Sequence, residues 1–197
     1  MIDLDCELLR AAAVEGGFRL ILADPPWRFD VRSDKGRGRS AERHYETMSL
    51  ERIAALPVGE LAAEDCLLWL WACNPMLPHA LDVMAAWGAR FLTSGVWCKR
   101  ARGGGVALGT GYWLRSSSEP FLLGAWGKPS PGSRSVSGVI EAARREHSRK
   151  PEAAYRAAEA LAPEGPRLEL FAREARPGWA AWGDDVARWA PGLEGAA

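Results

Sequence analysis

The chain has 197 residues, 25 basic and 25 acidic side chains and a formal charge of zero, and 48% of it is hydrophobic. Zero net charge excludes a polycationic coat or a basic tail, and the apolar share excludes a disordered chain. One domain, 1–197, is expected, large enough to bury a core without disulfide or metal staples.

In chain order, Met1 to Arg10 carries acids where a secretory leader needs a basic start and an apolar run. Arg19–Ala23 reads as a buried strand that runs into Asp24-Pro25-Pro26-Trp27. Cys66–Trp71 reads as a second strand, ending at Asn74-Pro75. The longest apolar run, the eight residues Cys66–Cys73, is too short to cross a bilayer, so no membrane partner is expected. Pro78 suits a first helical turn, Leu77, Leu81, Met84 and Ala85 share one face, and Gly88 ends the helix. Phe91–Cys98 is a third strand and leads into a basic, glycine-rich loop, Lys99 to Gly111; Pro120–Trp126 is a fourth. Pro151 opens a helix through Tyr155, Ala158 and Leu161 that stops at Pro163, and Arg167–Ala172 reads as a last central strand. Strands alternating with helices predict an α/β fold with a mostly parallel sheet. Such sheets hold ligands beyond the carboxyl ends of their strands, which directs attention to Asp24–Trp27, Asn74, Lys99 and Ala172–Glu174.

Neutrality hides polarity. Residues 28–43 hold six basic and three acidic side chains, 99–115 hold four and none, and 134–150 hold five and two. Basic charge is thus gathered in three stretches that read as loops. Three such loops on one face would hold a polyanion, since phosphate neutralisation needs a patch and not a net charge. The alternative is ordinary solvated loops. The four cysteines, Cys6, Cys66, Cys73 and Cys98, form no C-x-x-C pair and the three histidines are scattered, so no metal site is expected and a reducing cytoplasm is the simplest compartment.

Asp24-Pro25-Pro26-Trp27 is the stretch richest in chemistry. Two prolines remove two backbone donors and fix φ, so the chain leaves the strand in a rigid extended turn with bare carbonyl oxygens. A carboxylate and a carbonyl only accept hydrogen bonds, and an indole face stacks on a base. The complementary ligand is a planar group with an amine that has two protons to donate, such as the exocyclic nitrogen of adenine or cytosine. Two acceptors pulling on those protons favour a pyramidal nitrogen and free its lone pair for attack on an electrophile held in line. Taken alone, the four letters also fit a capping aspartate, a turn and a core tryptophan.

With the motifs His44-Tyr45-Glu46-Thr47-Met48-Ser49, Leu68-Trp69-Leu70-Trp71, Val96-Trp97-Cys98-Lys99, Gly111-Tyr112-Trp113-Leu114, Glu119, His147-Ser148-Arg149-Lys150-Pro151, Glu169-Leu170-Phe171-Ala172-Arg173 and Trp182-Gly183-Asp184, the chain resembles the MT-A70-like N6-adenine methyltransferases over about residues 18–186. The resemblance implies a Rossmann-like class I methyltransferase: a mostly parallel central sheet with helices on both faces, permuted so that Asp-Pro-Pro-Trp precedes the cofactor segment. It implies that Asp24 and the Pro25 carbonyl take the target amine, with Pro26 shaping the turn and Trp27 stacking on the base. S-adenosylmethionine would lie across the sheet, its carboxylate at Lys150 and its ribose at Glu169, Leu170, Phe171 and Arg173 and at the turn Gly183-Asp184-Asp185. Asp24 would also border the cofactor, and Asp5 and Cys6 align with residues at its adenine. Relatives often carry Gly-Asn-Gln or Gly-Asn-Glu where this chain has Gly183-Asp184-Asp185.

Substrate contacts are expected from Arg28, His44, Tyr45, Asn74, Lys99, Arg100, Arg102 and Arg115, with Arg144, Arg145 and Arg149 as further phosphate ligands and with 28–43 and 99–118 as the substrate-facing loops. Trp69 and Trp71 read as core, and Trp179, Trp182 and Trp189 as a carboxyl-terminal cover. The expected reaction is methylation of adenine N6 in nucleic acid, DNA ahead of RNA. An RNA adenosine methyltransferase, a non-catalytic nucleic-acid-binding subunit of the same fold and cytosine N4 chemistry are the alternatives. A homodimer or a partner subunit is compatible with the reading.

Overall fold

The computed structural model describes residues 6–7, 9–28, 47–145 and 149–183. Their elements are β1 (Phe18–Ala23), α1 (Leu50–Ala55), β2 (Ala62–Trp71), α2 (Leu77–Ala86), β3 (Arg90–Arg100), β4 (Ser118–Trp126), β5 (Val139–Ala143), α3 (Glu152–Leu161), β6 (Arg167–Leu170) and β7 (Ala180–Trp182). They build one seven-stranded sheet in the order β5-β3-β4-β2-β1-β6-β7. Four pairings are parallel; β4 alone runs against both its neighbours, β2 and β3. The sheet is therefore mixed, with one reversed strand inside an otherwise parallel array.

Side chains alternate across a strand, so each central strand feeds two cores. On β1, Ile21 and Ala23 join a cluster with Ile53 of α1 and Val83 and Met84 of α2. Leu20 and Leu22 join the opposite cluster with Ala154, Tyr155 and Ala158 of α3. Helices therefore cover both faces. Every residue of β1 except Arg19 is buried, as a strand flanked by β2 and β6 requires. Trp69 and Trp71 lie together on the α3 face, where Trp69 stacks on Phe121 at 4.0 Å and Trp71 meets the same ring edge-on at 5.4 Å. Ser49 caps α1 by accepting the backbone N–H of Arg52 at 3.3 Å, and Pro78 stands in the first turn of α2.

Two strands depart from the expected pattern. β5 lies in what read as a basic loop, because its five residues, Val-Ile-Glu-Ala-Ala, show no apolar run beyond two. β7 is three half-buried residues paired with β6. The strand expected to run to Ala172 stops at Leu170, because Phe171 takes a left-handed backbone, φ 61°, which breaks the extended run.

Candidate active site

β1, β2 and β3 are parallel, so their carboxyl ends share one edge, and reversed β4 brings its amino end there too. Four ionisable side chains meet at that edge. Asp24 follows β1, Lys99 lies near the end of β3, Glu119 is the second residue of β4, and Lys150 precedes α3. The Lys150 ammonium is 2.9 Å from Asp24 Oδ1 and also hydrogen-bonds Glu119 Oε1. Lys99 Nζ reaches the other Glu119 oxygen at 2.7 Å. The order is Asp24, Lys150, Glu119, Lys99, with alternating sign and two charges of each kind. Trp71 floors it: Lys150 Nζ sits 5.1 Å from the centre of that ring.

Burial and pairing compete to set the protonation of this row. Burial pushes the Asp24 carboxyl above its ordinary value, opposed by Lys150 and Arg173. Burial acts the same way on Glu119, but Lys150 and Lys99 overcome it and hold Glu119 at about 2. Desolvation opposes the Lys150 charge, and the two carboxylates outweigh it and raise its pKa. Lys150 holds Asp24 Oδ1, and a carboxylate has a second oxygen that can accept from a ligand.

The turn is tied down at each residue. The Trp27 N–H donates to the Pro25 carbonyl at 2.8 Å, and the Met48 N–H to the Pro26 carbonyl at 3.0 Å. The Pro25 oxygen keeps one lone pair for a second donor. Trp27, whose face read as open to a base, is only 5% exposed; its ring sits in the α1–α2 core and its Nε1–H donates to the Trp71 carbonyl at 3.1 Å. The expectation of a free stacking face is revised accordingly: the indole fixes the turn to the end of β2.

A second group of residues lies at the end of β6. Glu169 is 6% exposed; one of its oxygens accepts the Tyr155 hydroxyl at 2.7 Å, and the other is buried without a hydrogen-bond partner among the described residues. Burial pushes its pKa up to about 7. Phe171 packs edge-on against Trp182 at 5.5 Å, and the Ala172 N–H donates to the Trp182 carbonyl at 2.9 Å. A Cβ on Gly183 would stand 2.7 Å from the Ala172 nitrogen, so this close approach of β7 to the turn requires glycine. Leu170 is fully buried and its carbonyl faces the Asp24 N–H at 3.4 Å. Arg173 is half-buried, near enough for its charge to act on Asp24.

Several residues expected at phosphates are engaged elsewhere. Arg176, for which no ligand role was expected, clasps Glu152 with both nitrogens, at 2.7 and 3.0 Å, and reaches Glu174 at 2.9 Å. Arg145 pairs with Glu152 at 2.7 Å and donates to the Lys150 carbonyl at 3.3 Å, and Arg149 pairs with Glu174 at 2.5 Å. Arg145 and Arg149 thus hold the segment carrying Lys150. Lys99 is spent on Glu119, and Arg100 pairs with Glu141 of β5 at 2.5 Å. Arg28, Arg102 and Arg115 are exposed, and Asn74, also exposed, donates to the Ser118 carbonyl at 3.4 Å. Cys6 packs on the α1–α2 core with Sγ 3.8 Å from the Ala55 carbonyl. Asp5, His44, Tyr45, Asp184 and Asp185, with most of 28–43, lie outside the described residues.

Glu119 carried no role in the sequence reading beyond its place in a motif, yet it bridges two lysines. A signal existed: it is the only acid between Lys99 and Trp126, and it enters a buried strand. Tyr155, Glu152 and Arg176 were readable only as helix, surface and loop residues.

A half-buried carboxylate and a buried lysine at the carboxyl edge of a sheet covered by helices on both faces place the candidate site where α/β domains hold their ligands. The chain belongs to the MT-A70 family, whose model matches residues 18–185. It is 29% identical over 187 residues to the type II methyltransferase M.MunI of Mycoplasma sp, covering 86% of this chain and 78% of that one. It is 31% identical over 175 residues to an N(6)-adenosine-methyltransferase MT-A70-like protein of Arabidopsis thaliana, 87% of this chain and 24% of that one. It is 28% identical over 194 residues to the N6-methyladenosine RNA methyltransferase MTA1 of Cryphonectria parasitica, 91% and 55%. The chain therefore spans most of the first relative but only about a quarter and about half of the other two.

Proposed function

We infer that this chain is an adenine-N6 methyltransferase of nucleic acid, and propose DNA ahead of RNA as its substrate, because, of the three relatives named above, the one it spans most fully is a type II methyltransferase. The observation that carries the chemistry is Asp24, half-buried beside Lys150, which holds one of its carboxylate oxygens, next to a proline carbonyl with a spare lone pair. Those two acceptors suit the two protons of one exocyclic amine. Asp24, with its pKa raised by burial, is also suited to take the proton that the amine sheds once it is alkylated. In a duplex that amine lies inside the stack, so the base is flipped out or the strand is already single.

The donor set fits S-adenosylmethionine. Lys150 has three N–H donors and uses two on Asp24 and Glu119, which leaves one for a carboxylate. The unpartnered oxygen of Glu169 is an acceptor for a ribose hydroxyl. When bound, the cofactor supplies an electrophilic methyl group on sulfur. The protein's part is to hold the amine, orient it and accept its proton. Trp27 acts here through position, keeping Pro25 and Asp24 in place.

The test is incubation of wild type and Asp24→Asn with labelled cofactor and single- or double-stranded DNA or RNA, followed by nucleoside analysis. Label in N6-methyladenine with wild type, and a loss of about 10²–10⁴-fold in the variant, is the expected result. Wild-type rates in the variant, or label in another nucleoside, would refute the assignment.

A further inference from the structure

We propose that the tip of the β3–β4 loop, Tyr112-Trp113-Leu114, is a stacking platform for unpaired nucleotides next to the target base; this rests on the nucleic-acid reading above. The tip is among the most apolar exposed surfaces described: Trp113 is 87% exposed, Leu114 85% and Tyr112 76%. Large side chains are seldom held this far from a core without a partner to meet.

The tip is built and held. The Gly109 N–H donates to the Ser116 carbonyl at 2.6 Å and the Ser116 N–H to the Thr110 carbonyl at 2.8 Å, closing the neck of the turn. A Cβ on Gly111 would fall 1.9 Å from the Leu114 carbonyl oxygen, so a glycine is required for the turn to be this tight. Tyr112 and Trp113 meet edge to face, centres 5.5 Å apart at 89°. Two rings thus stand fixed at right angles and ready to receive a flat group, with little ordering left to do on binding.

Position and charge choose the occupant. The loop leaves β3 just after Lys99 and enters β4 at Ser118, one residue before Glu119, so both its ends are anchored in the row of charges that includes Asp24. Residues 99–115 contain four basic side chains and no acid. Lys99 and Arg100 are neutralised by Glu119 and Glu141, whereas Arg102 and Arg115 are exposed and no ion pair is described for either. Aromatic faces interleaved with unneutralised guanidinium groups, at the rim of a site for a base, match a single strand: bases on the rings, phosphates on the arginines. An apolar protein partner would cover the rings but would leave those two charges unanswered.

The experiment uses the full chain and a fluorescein-labelled single-stranded 15-nucleotide DNA or RNA containing one adenine, read by anisotropy over a salt series. Size-exclusion chromatography with light scattering and cofactor titration run alongside. Trp113→Ala is expected to raise the oligonucleotide Kd by about 10- to 100-fold, to raise KM for the oligonucleotide more than it lowers kcat, and to leave cofactor Kd unchanged. Trp113→Phe should restore most of the binding. Arg102→Gln with Arg115→Gln should flatten the salt dependence, each lost phosphate contact removing about 0.7 from the slope. Trp113→Ala binding the strand like wild type overturns the proposal alone. A changed oligomeric state in Trp113→Ala with strand binding intact also overturns it and assigns the tip to a protein partner. A wild-type protein that binds no strand refutes the nucleic-acid reading as well.

Discussion

Glu169→Gln isolates the cost of keeping a carboxylate under the sheet edge. In the folded chain burial raises this group from 4.5 to about 7. Between those values the folded state binds a proton that the unfolded state has released. Stability from this group is therefore greatest below pH 4.5 and declines as pH rises to 7. At about 1.4 kcal/mol per pH unit, that decline is roughly 3 kcal/mol. Glutamine keeps the acceptor for the Tyr155 hydroxyl but cannot ionise. Asp24, whose pKa burial also raises, titrates in both proteins, so only its repulsion of the Glu169 carboxylate differs between them. Urea denaturation followed by tryptophan fluorescence, for wild type and variant at pH 4.5 and pH 8, reads the effect. Relative to wild type, the variant should gain about 3 kcal/mol on going from the lower to the higher pH. An equal difference at both would mean that Glu169 is already solvated or paired, and would refute the reasoning.

Glu119→Gln works with the opposite sign: its folded value lies near 2 against 4.5 unfolded, so the wild-type advantage is full above 4.5 and disappears as pH falls toward 2, about 3 kcal/mol in all, measured by denaturation across that range. Trp27→Ala should cost about 3–5 kcal/mol of stability, because the ring is core and not a free face; Trp27→Phe should cost less, losing the bond to the Trp71 carbonyl, and the same melts decide it. Arg176→Met breaks the clasp that joins Glu152, Glu174 and the Tyr155 ring, and should weaken cofactor binding by titration while leaving the far-ultraviolet spectrum unchanged. Lys150→Met leaves two buried carboxylates without the ammonium between them, and should cost about 3–5 kcal/mol together with cofactor binding.

The central strands were legible because burial on both faces writes an uninterrupted apolar run, as in Leu20-Ile21-Leu22. Edge strands were not: β5 and β7 bury too little to leave that mark. Asp24 could be singled out from the chemistry of its motif and Lys150 from the family resemblance, and both lie at the same edge of the sheet. What charge counting could not see was who pairs with whom. Lys99, Arg100, Arg145 and Arg149 looked like phosphate ligands because a sequence shows the sign of a side chain and not the carboxylate that folding brings to it, whether from the next helix, as Glu152 to Arg145, or from another strand, as Glu141 to Arg100. Trp27 was misjudged for a related reason, since an indole beside a carboxylate at a strand end looks the same in sequence whether it faces a ligand or the core.

The reversal of β4 has a consequence for how such a domain can diversify. In a run of parallel strands, each return to the ligand edge needs a crossover through a helix on the far side. Here β3 ends at that edge and β4 starts from it directly, so Lys99 and Glu119, paired to each other, act as a clamp across the mouth of a hairpin. Everything between them can lengthen, shorten or change composition while the clamp keeps its register and the Asp24–Lys150 pair stays where it is. On the function proposed above, the hairpin would be an exchangeable reading head on a fixed chemical base.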